Sequence, residues 1–397
     1  MKYNWTEKKL SEIADINPRE SIGKGIVAKK VPMDRLQPFC RDIPEFIYEE
    51  YKGGTKFKNG DTIMARITPC LENGKIAKVS LLNNDEVGFG STEYIVFRAI
   101  DGISDADFLY YLVCSPFVRN PAIKSMVGSS GRQRVQVDVV ADLNVKVPAI
   151  EEQRKIGGIL KALDDKIELN NKINNNLEQQ IEAVLLSFIE NTNSNDVKLG
   201  DYLYIKGRIG WKGLKKEEYL EHSDYRIING ESLTKAGIDW SKAGYISQAR
   251  YYESPEIMLQ SGDILLSKDG TIGKIGYIDS LSTPTTVASG IFVIRNLQPN
   301  IISTTFIYYL LKSRLFTAFI AARTEGSVIP HLYQKDFMQF EFPLPDKEEM
   351  ANFEELTAPM FSLIVSNLNE NDRLMRIRDS LLPRLMSGEL DVSDIDL

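Results

Sequence analysis

The 397-residue sequence predicts two copies of a mixed α/β (α+β) domain, each followed by a long helix, the two helices pairing as an intramolecular coiled coil. Three observations carry this. A seam of apolar and asparagine residues runs through residues 151–191 in steps of four and three. Short motifs of the first part recur in order in the second. The seam recurs as well, at an offset of 197.

The helix is the strongest element. Ile156, Leu160, Leu163, Ile167, Asn170, Asn174, Leu177, Ile181, Val184 and Phe188 follow the coiled-coil period rather than that of a generic buried helix. Roughly forty residues at about 1.5 Å per residue span about 60 Å, which suits a spacer or assembly element better than core filling. Asn170 and Asn174 lie in the seam, where a buried asparagine costs stability but selects register and partner. Met360, Ile364, Asn367, Asn371 and Leu374 repeat Leu163, Ile167, Asn170, Asn174 and Leu177. Two such helices can satisfy each other within one chain. Pro359 lacks an amide donor and clashes with the preceding turn, so the second helix is expected to kink or to begin there.

The first domain occupies residues 1–148. Residues 5–16 read as a short helix or strand, followed by loop chemistry at Asn17-Pro18 and Gly23–Gly25. The turn Asn59-Gly60-Asp61 leads into a strand at 62–65, and Glu72-Asn73-Gly74 into an alternating strand at 75–79. Residues 94–97 read as a buried strand. A helix opens at 107–112, with Asp105 or Asp107 as its cap. Residues 149–195 form the central helix, and the polar stretch 193–196 is the linker. The second domain, 196–346, repeats this plan. Gly60-Asp61-Thr62-Ile63 is echoed by Gly262-Asp263-Ile264-Leu265, Gly74-Lys75-Ile76 by Gly273-Lys274-Ile275, and Phe108-Leu109-Tyr110-Tyr111-Leu112 by Phe306-Ile307-Tyr308-Tyr309-Leu310. The offset drifts only from 202 to 197, as a tandem duplication with a few deletions requires. Residues 347–397 are the second helix and an acidic end expected to fray. Strands and helices mix without the steady alternation of a doubly wound sheet.

The net charge of −7 is unevenly spread. Residues 1–147 carry 21 basic against 19 acidic side chains and residues 196–345 carry 17 against 16, whereas 148–195 carry 5 against 8 and 346–397 carry 5 against 12. The globular parts can therefore present basic faces, while the acidic helices are poor surfaces for phosphate. No apolar run reaches membrane-spanning length and residues 1–17 carry no apolar leader, so a cytoplasmic protein is expected. Cys40, Cys70 and Cys114 have neither disulfide nor zinc spacing, and His222 and His331 are the only histidines.

A search for catalysis finds little. Gly270-Thr271-Ile272-Gly273-Lys274 is too short for a phosphate-wrapping loop. Asp263, Lys268 and Asp269 are poorly spaced for a metal nuclease, and neither histidine lies in a nucleophile elbow. Binding chemistry is better represented. Ser129, Ser130, Arg132, Gln133 and Arg134 form a loop whose donors can meet phosphate and base edges. Its repeat partner carries Ser327, His331, Tyr333 and Gln334. Arg66 and Lys75 in the first copy, and Lys268 and Lys274 in the second, flank matching turns. Lys206, Arg208, Trp211 and Lys212 form a basic cluster with an aromatic. Each alone is an ordinary surface charge; recurrence in two copies favours nucleic-acid binding. The alternatives are a DNA methyltransferase or nuclease with unrecognised catalytic residues, and a protein scaffold that does not touch DNA.

At these residues the chain resembles the specificity subunit of type I restriction-modification enzymes. The likeness covers nearly the whole sequence. It rests on the doubled Gly-Asp strand start, the Phe-x-Tyr-Tyr-Leu helix, Gly326-Ser327-Val328-Ile329-Pro330-His331-Leu332, the Glu-Glu pairs at 151–152 and 348–349 after a proline, and the ending SLLPRLMSGEL. It departs from the pattern where Arg132-Gln133-Arg134 replaces Pro-His in the first copy and where Met350 follows the second Glu-Glu instead of glutamine. The resemblance implies two target-recognition domains on antiparallel helices, each reading half of a split, asymmetric DNA site. It implies two methyltransferase (modification) subunits bound along the helices, and translocase/endonuclease subunits joining the complex. Adenine methylation and restriction would fall to those partners, which would hold S-adenosylmethionine, ATP and Mg²⁺, while this chain would bind no cofactor or metal and have no catalytic residue of its own.

Overall fold

The computed structural model describes residues 5–129, 131–192, 196–208, 213–234, 237–324 and 331–392. The chain forms two compact units: Met1–Asn171 with Leu368–Leu397, and Lys172–Asn367.

In the first unit an antiparallel sheet runs in the order Ala14–Ile16, Tyr94–Ala99, Thr62–Ala65, Ile76–Lys78. Thr62–Ala65 is buried along its whole length, which explains its unbroken rather than alternating apolar pattern. Successive side chains of a strand point to opposite faces. Met64 and Ile95 accordingly enter one core with helices α1 (Ala106–Cys114) and α2 (Pro116–Lys124), and Ile63 and Val96 enter another. Asp105 caps α1, accepting hydrogen bonds from the amides of Asp107 and Phe108 at 2.9 Å each. A second sheet, Ile47–Glu50, Val27–Val31, Gly88–Gly90, Thr55–Phe57, is built from residues to which the sequence pattern assigns no strand, and its Val27–Val31 and Gly88–Gly90 strands run parallel. Gly90 is required there, because a Cβ would lie 2.6 Å from both Tyr94 and the Val31 carbonyl. After α3 (Val137–Ala141), the strand Asn144–Val147 pairs with Thr6–Lys9 and delivers the chain to α4 (Ile150–Asn191).

The second unit repeats this topology. Its main sheet runs Leu203–Gly207, Ile291–Asn296, Ile264–Ser267, Ile275–Tyr277. A three-stranded sheet, Gly244–Ile246, Tyr225–Ile228, Thr285–Val287, keeps the parallel pair, and Leu233–Thr234 pairs with Gly237–Ile238 in a further two-stranded sheet. Helix α5 (Gln248–Tyr252) precedes the repeat of the helical layer: α6 (Thr304–Lys312), capped by Ser303, then α7 (Arg314–Thr324) and α8 (Gln334–Phe337). Glu341–Pro343 pairs with Asp196–Lys198 before α9 (Lys347–Met386).

Helix α9 does not begin at Pro359. It starts at Lys347, where the Asp346 carboxylate accepts from the amides of Glu348 and Glu349 and Glu349 Oε2 accepts from the Asp346 amide, all at 2.9 Å. This reciprocal cap sets the start, and packing of Phe353, Phe361 and Ile364 into the unit's core holds the helix through the proline. At the equivalent point of the first unit, Gln153 is buried. Its Nε2 donates to the carbonyls of Ile103 (3.1 Å) and Pro148 (3.0 Å), and its Oε1 accepts from the Asp105 amide (3.0 Å), tying the start of α4 to the cap of α1. Met350 occupies this place in the second unit and joins the apolar core.

The long helices pack together, antiparallel in each unit. In the first, Asn170 Nδ2 donates to Asn371 Oδ1 (2.9 Å) and Glu370 Oε2 (2.8 Å), Asn371 Nδ2 donates to Asn171 Oδ1 (2.8 Å), and Asp164 meets Arg378. In the second, Asn367 Nδ2 donates to Asn174 Oδ1 (2.8 Å), and the rings of Phe188 and Phe353 lie 5.8 Å apart. Of the predicted seam, Asn170, Asn174, Ile364, Asn367 and Asn371 are buried, whereas Leu163, Ile167, Leu177, Met360 and Leu374 are half-buried. Further out, Ile156 and Leu160 join the first unit's core and Ile181 and Leu185 the second's. Leu385, Met386 and Val392 also enter the first unit's core, so the acidic end is anchored at least as far as Val392.

Candidate nucleic-acid interface

In the first unit the predicted loop is held by the backbone of Arg134. It exchanges hydrogen bonds with Val127 (2.9 and 3.0 Å), Thr68 donates to the Gln133 carbonyl (3.0 Å), and Val135 donates to that of Arg66 (2.8 Å). These bonds bring Arg66, Gln133 and Arg134 together and leave Ser129 and Arg132 exposed at the tip. The two arginines converge on Glu93. Arg134 Nε spans both carboxylate oxygens at 2.9 and 3.0 Å and a terminal nitrogen adds a third bond at 2.7 Å, while Arg66 Nε stands 3.9 Å away. The hydrogen bond and charge of Glu93 hold Arg134 above the ordinary arginine value. Lys75 does not join this group: it donates to the Met33 carbonyl at 2.8 Å. Ser130 lies outside the described residues.

The second unit places His331 where the first has Arg134. Asp269 and His331 form the backbone bridge that Ile67 and Arg134 form in the first, and Leu332 donates to the Lys268 carbonyl at 2.9 Å. The His331 ring is hydrogen-bonded to the Asp269 carboxylate and stands edge-on to Tyr333 at 4.5 Å. Tyr333 is 56% exposed, with Lys335 Nζ 5.7 Å over its ring. Gln334 opens α8 beside it. Lys268 lies over Phe292 (5.1 Å), and Lys274 donates to the Gly230 carbonyl (2.8 Å). Lys212, Trp211 and Ser327 lie outside the described residues. Arg208 is no surface cation: it is 2% exposed, its Nε donates to the Val287 carbonyl (3.1 Å), and its terminal nitrogens have no partner among the described residues. Burial, then the nearby Arg250, push it below the ordinary arginine value.

The doubled Gly-Asp motif is structural. Asp61 is gripped by Arg98 Nε and a terminal nitrogen at 2.7 Å each and also accepts from the Lys58 amide (2.7 Å). Asp263 is held in the same way by Arg295 (2.7 and 2.8 Å) and the Gln260 amide (2.8 Å). Each pair staples a central strand to its neighbour, which explains why Asp263 recurs without a metal-site spacing. Among the described residues no cluster of three or more histidine, cysteine or acidic side chains is arranged to hold a metal ion.

Where α4 and α9 meet the first unit, Asp164 accepts from Tyr111 Oη (2.6 Å) and from an Arg378 terminal nitrogen (2.7 Å). Burial alone would lower Arg378, but Asp164 and Asp379 outweigh it and hold it above its ordinary value. Burial pushes the adjoining Cys114 thiol up to about 12. Arg41 joins the same region to α4 through Asp165 (2.7 Å) and Glu168 (3.3 Å). In the second unit Lys312 of α6 donates to Glu178 of α4 at 2.6 Å. Charged residues off the apolar seam are invisible to a periodicity reading, so these contacts had no sequence signal of that kind.

Twice-built loops on one scaffold, carried by paired helices, make a modular recognition protein with two reading surfaces. A family model described as the type I restriction modification DNA specificity domain matches residues 2–179 and again 191–358. The chain belongs to this family, and is the DNA-recognition component of a type I restriction-modification system. It is similar to the MjaIX specificity subunit of Methanocaldococcus jannaschii, 25% identical over 316 residues that cover 74% of this chain and 71% of that protein. It is also similar to the HindI specificity subunit of Haemophilus influenzae, 24% identical over 407 residues covering 84% and 87%. In fold it is similar to the S subunit of the M. genitalium type I system, with a TM-score of 0.58 and 18% identity across 97% of this chain and 96% of that one. No helix among the described residues is long and apolar enough to cross a membrane.

Proposed function

We propose that each domain reads one half of a split DNA site and that the two halves differ in sequence. The observation that carries this is one backbone position with two readers: the bridge Ile67–Arg134 recurs as Asp269–His331. A common scaffold with different side chains at its loop suits two different base patterns, since phosphate contacts position while base-edge contacts specify. In this reading Arg66, Ser129, Ser130, Arg132, Gln133 and Arg134 serve one half-site. Lys268, Ser327, His331, Tyr333 and Gln334 serve the other, with Lys75, Lys212 and Lys274 adding charge. Arg208, being buried, supports its domain from within rather than touching bases.

The helices act as the spacer, and the chain supplies specificity without catalysis. Methyltransferase subunits along the helices would carry S-adenosylmethionine and methylate adenine; translocase/endonuclease subunits would use ATP and Mg²⁺, all in the cytoplasm. The test removes a matched heptad, residues 171–177 with 364–370, which leaves the Asn170–Asn371 contact in place. Seven residues shorten each helix by about 10 Å, equivalent to about three base pairs at 3.4 Å each. Methylation mapping in the assembled complex should show both half-sequences kept and the gap between them about three base pairs shorter. An unchanged gap would refute the spacer role.

A further inference from the structure

The duplicated helices raise a question of pairing. Residue Asn170 on α4 corresponds to Asn367 on α9, and Asn174 to Asn371, at the offset of 197. The observed contacts are Asn170 with Asn371 and Asn174 with Asn367. If α4 paired antiparallel with α4 of a second copy in this register, Asn170 would meet Asn174, the same contact again. The asparagines therefore define register but do not distinguish one copy of the helix from the other.

Charge pairs between the halves do distinguish them, the two least exposed most sharply, while the more exposed Lys166–Glu370 pair has the opposite polarity. In the first unit Asp164, 4% exposed, is bonded to Arg378 and to Tyr111. The duplication maps Asp164 to Phe361, Arg378 to Ile181 and Tyr111 to Tyr309. In the second unit Phe361, Ile181 and Tyr309 share one apolar core, and the Tyr309 hydroxyl has no partner among the described residues. The second charge pair is Glu178–Lys312, whose counterparts in the first unit are Met375 and Cys114. In both pairs the acid belongs to the first half of the sequence and the base to the second. Pairing of two first halves would bury Asp164 against Ile181 with no cation. Pairing of two second halves would bury Arg378 against Phe361 without Asp164, leaving only the mostly exposed carboxylate of its neighbour Asp379. Removing one partner from a buried ion pair is strongly unfavourable, whereas the pair itself adds little stability over apolar packing.

We propose that Asp164–Arg378 and Glu178–Lys312 form a pairing code that commits the first half of the chain to a second half and excludes like-with-like assembly. The code selects the partner while the asparagines select the register.

A protease site placed between Thr192 and Asp196 allows the folded full-length protein to be cut after purification, and native mass spectrometry then identifies the pairs. Cut wild-type protein should remain one first half with one second half through dilution and reconcentration. Cut Asp164→Arg protein mixed with cut Arg378→Asp protein should exchange halves, because exchange re-forms the native Asp164–Arg378 pair in one product and its inverse in the other. The exchanged pairs should exceed those in a mixture of two mass-tagged cut wild-type proteins by at least about tenfold. If either variant cannot be purified alone, co-expressing the two tagged full-length variants replaces the mixing step, and soluble co-captured protein is the expected result. Like-with-like pairs from the wild type, or exchange between the variants no greater than in the wild type, overturns the code; so does failure of co-expression to give soluble, co-captured protein.

Discussion

Replacing Asp263 by alanine is the sharpest test of the stapled strands. The carboxylate accepts two charge-assisted bonds from Arg295 and one from the Gln260 amide. Hydrogen bonds to charged groups each contribute about 1.5–3 kcal/mol, and truncating one partner of a buried ion pair costs about 3–5 kcal/mol. Arg295 is partly exposed and keeps the Met258 carbonyl at 3.2 Å and the Tyr204 ring at 5.4 Å, so a loss of about 3 kcal/mol is expected after discounting for solvent. Asp61→Ala should cost less, about 2 kcal/mol, because Arg98 retains Glu20 at 2.6 Å. For a unit of this size each kcal/mol moves the midpoint by about 2–4 °C. Calorimetry should therefore show the transition of the second unit falling by roughly 6–12 °C in Asp263→Ala, and that of the first by roughly 4–8 °C in Asp61→Ala. Hydrogen exchange at Ile264–Ser267 and Thr62–Ala65 assigns each transition to its unit. A shift below about 1 °C for Asp263→Ala, with loss of activity in the complex, would refute the staple and restore a chemical role for this carboxylate.

Three further predictions concern the loops and the pH response. Arg132→Ala should weaken DNA binding by the assembled complex and reduce the slope of log K against log salt by about one if it meets phosphate, and Tyr333→Ala should relax sequence preference in one half-site only; modification equal to wild type at every site removes that residue from the interface. Glu20 is lowered because hydrogen bonds from Arg98 and Lys58 outweigh a burial effect that alone would raise it, and Asp165 likewise through Lys161 and Arg41. A carboxylate lowered on folding contributes stability that is present above its unfolded value, about 4, and lost as pH falls through the folded one. The melting temperature should thus drop below about pH 4, and Glu20→Gln should flatten that drop; an unchanged slope in the variant would count against this attribution.

The elements that sequence made legible are those whose pattern is set by burial alone. The strand Thr62–Ala65 and helix α1 are buried almost throughout, and α4 carries a long seam, so their apolar runs are diagnostic. Residues 17–60 were opaque because their strands are short and lack regular alternation: Ile47–Glu50, at the sheet edge, has no buried residue, and Val27–Val31 interleaves two lysines with its apolar residues. Of the two outcomes expected at Pro359, a helix start there is overturned, because core packing on both sides of it overrides local propensity. Among the interface residues, sequence found the loop through its recurrence. It missed that Arg134 is held by Glu93, forty-one positions away, and that Arg208 folds inward. A carboxylate contributed by a distant turn has no signature in a linear reading, and a basic cluster looks alike whether it faces water or the core.

The divergence between the two copies is itself informative. Tyr111 and Tyr309 keep the same place on α1 and α6, yet only Tyr111 meets a carboxylate. Gln153 clamps one helix start through three hydrogen bonds, where Met350 fills an apolar core at the other. An apolar solution therefore exists within this same chain for each polar one, and buried polar groups are not needed for stability where packing already serves. What the polar version adds is direction: a hydrogen bond or ion pair discriminates between partners far more sharply than a methyl group does. A duplicated protein built on two copies of one helix faces a choice of partners that an unduplicated fold never meets. Arg378 and Lys312 stand where that choice is made, each meeting an α4 carboxylate from the other half of the chain, whereas the bonds of Gln153 lie within its own half.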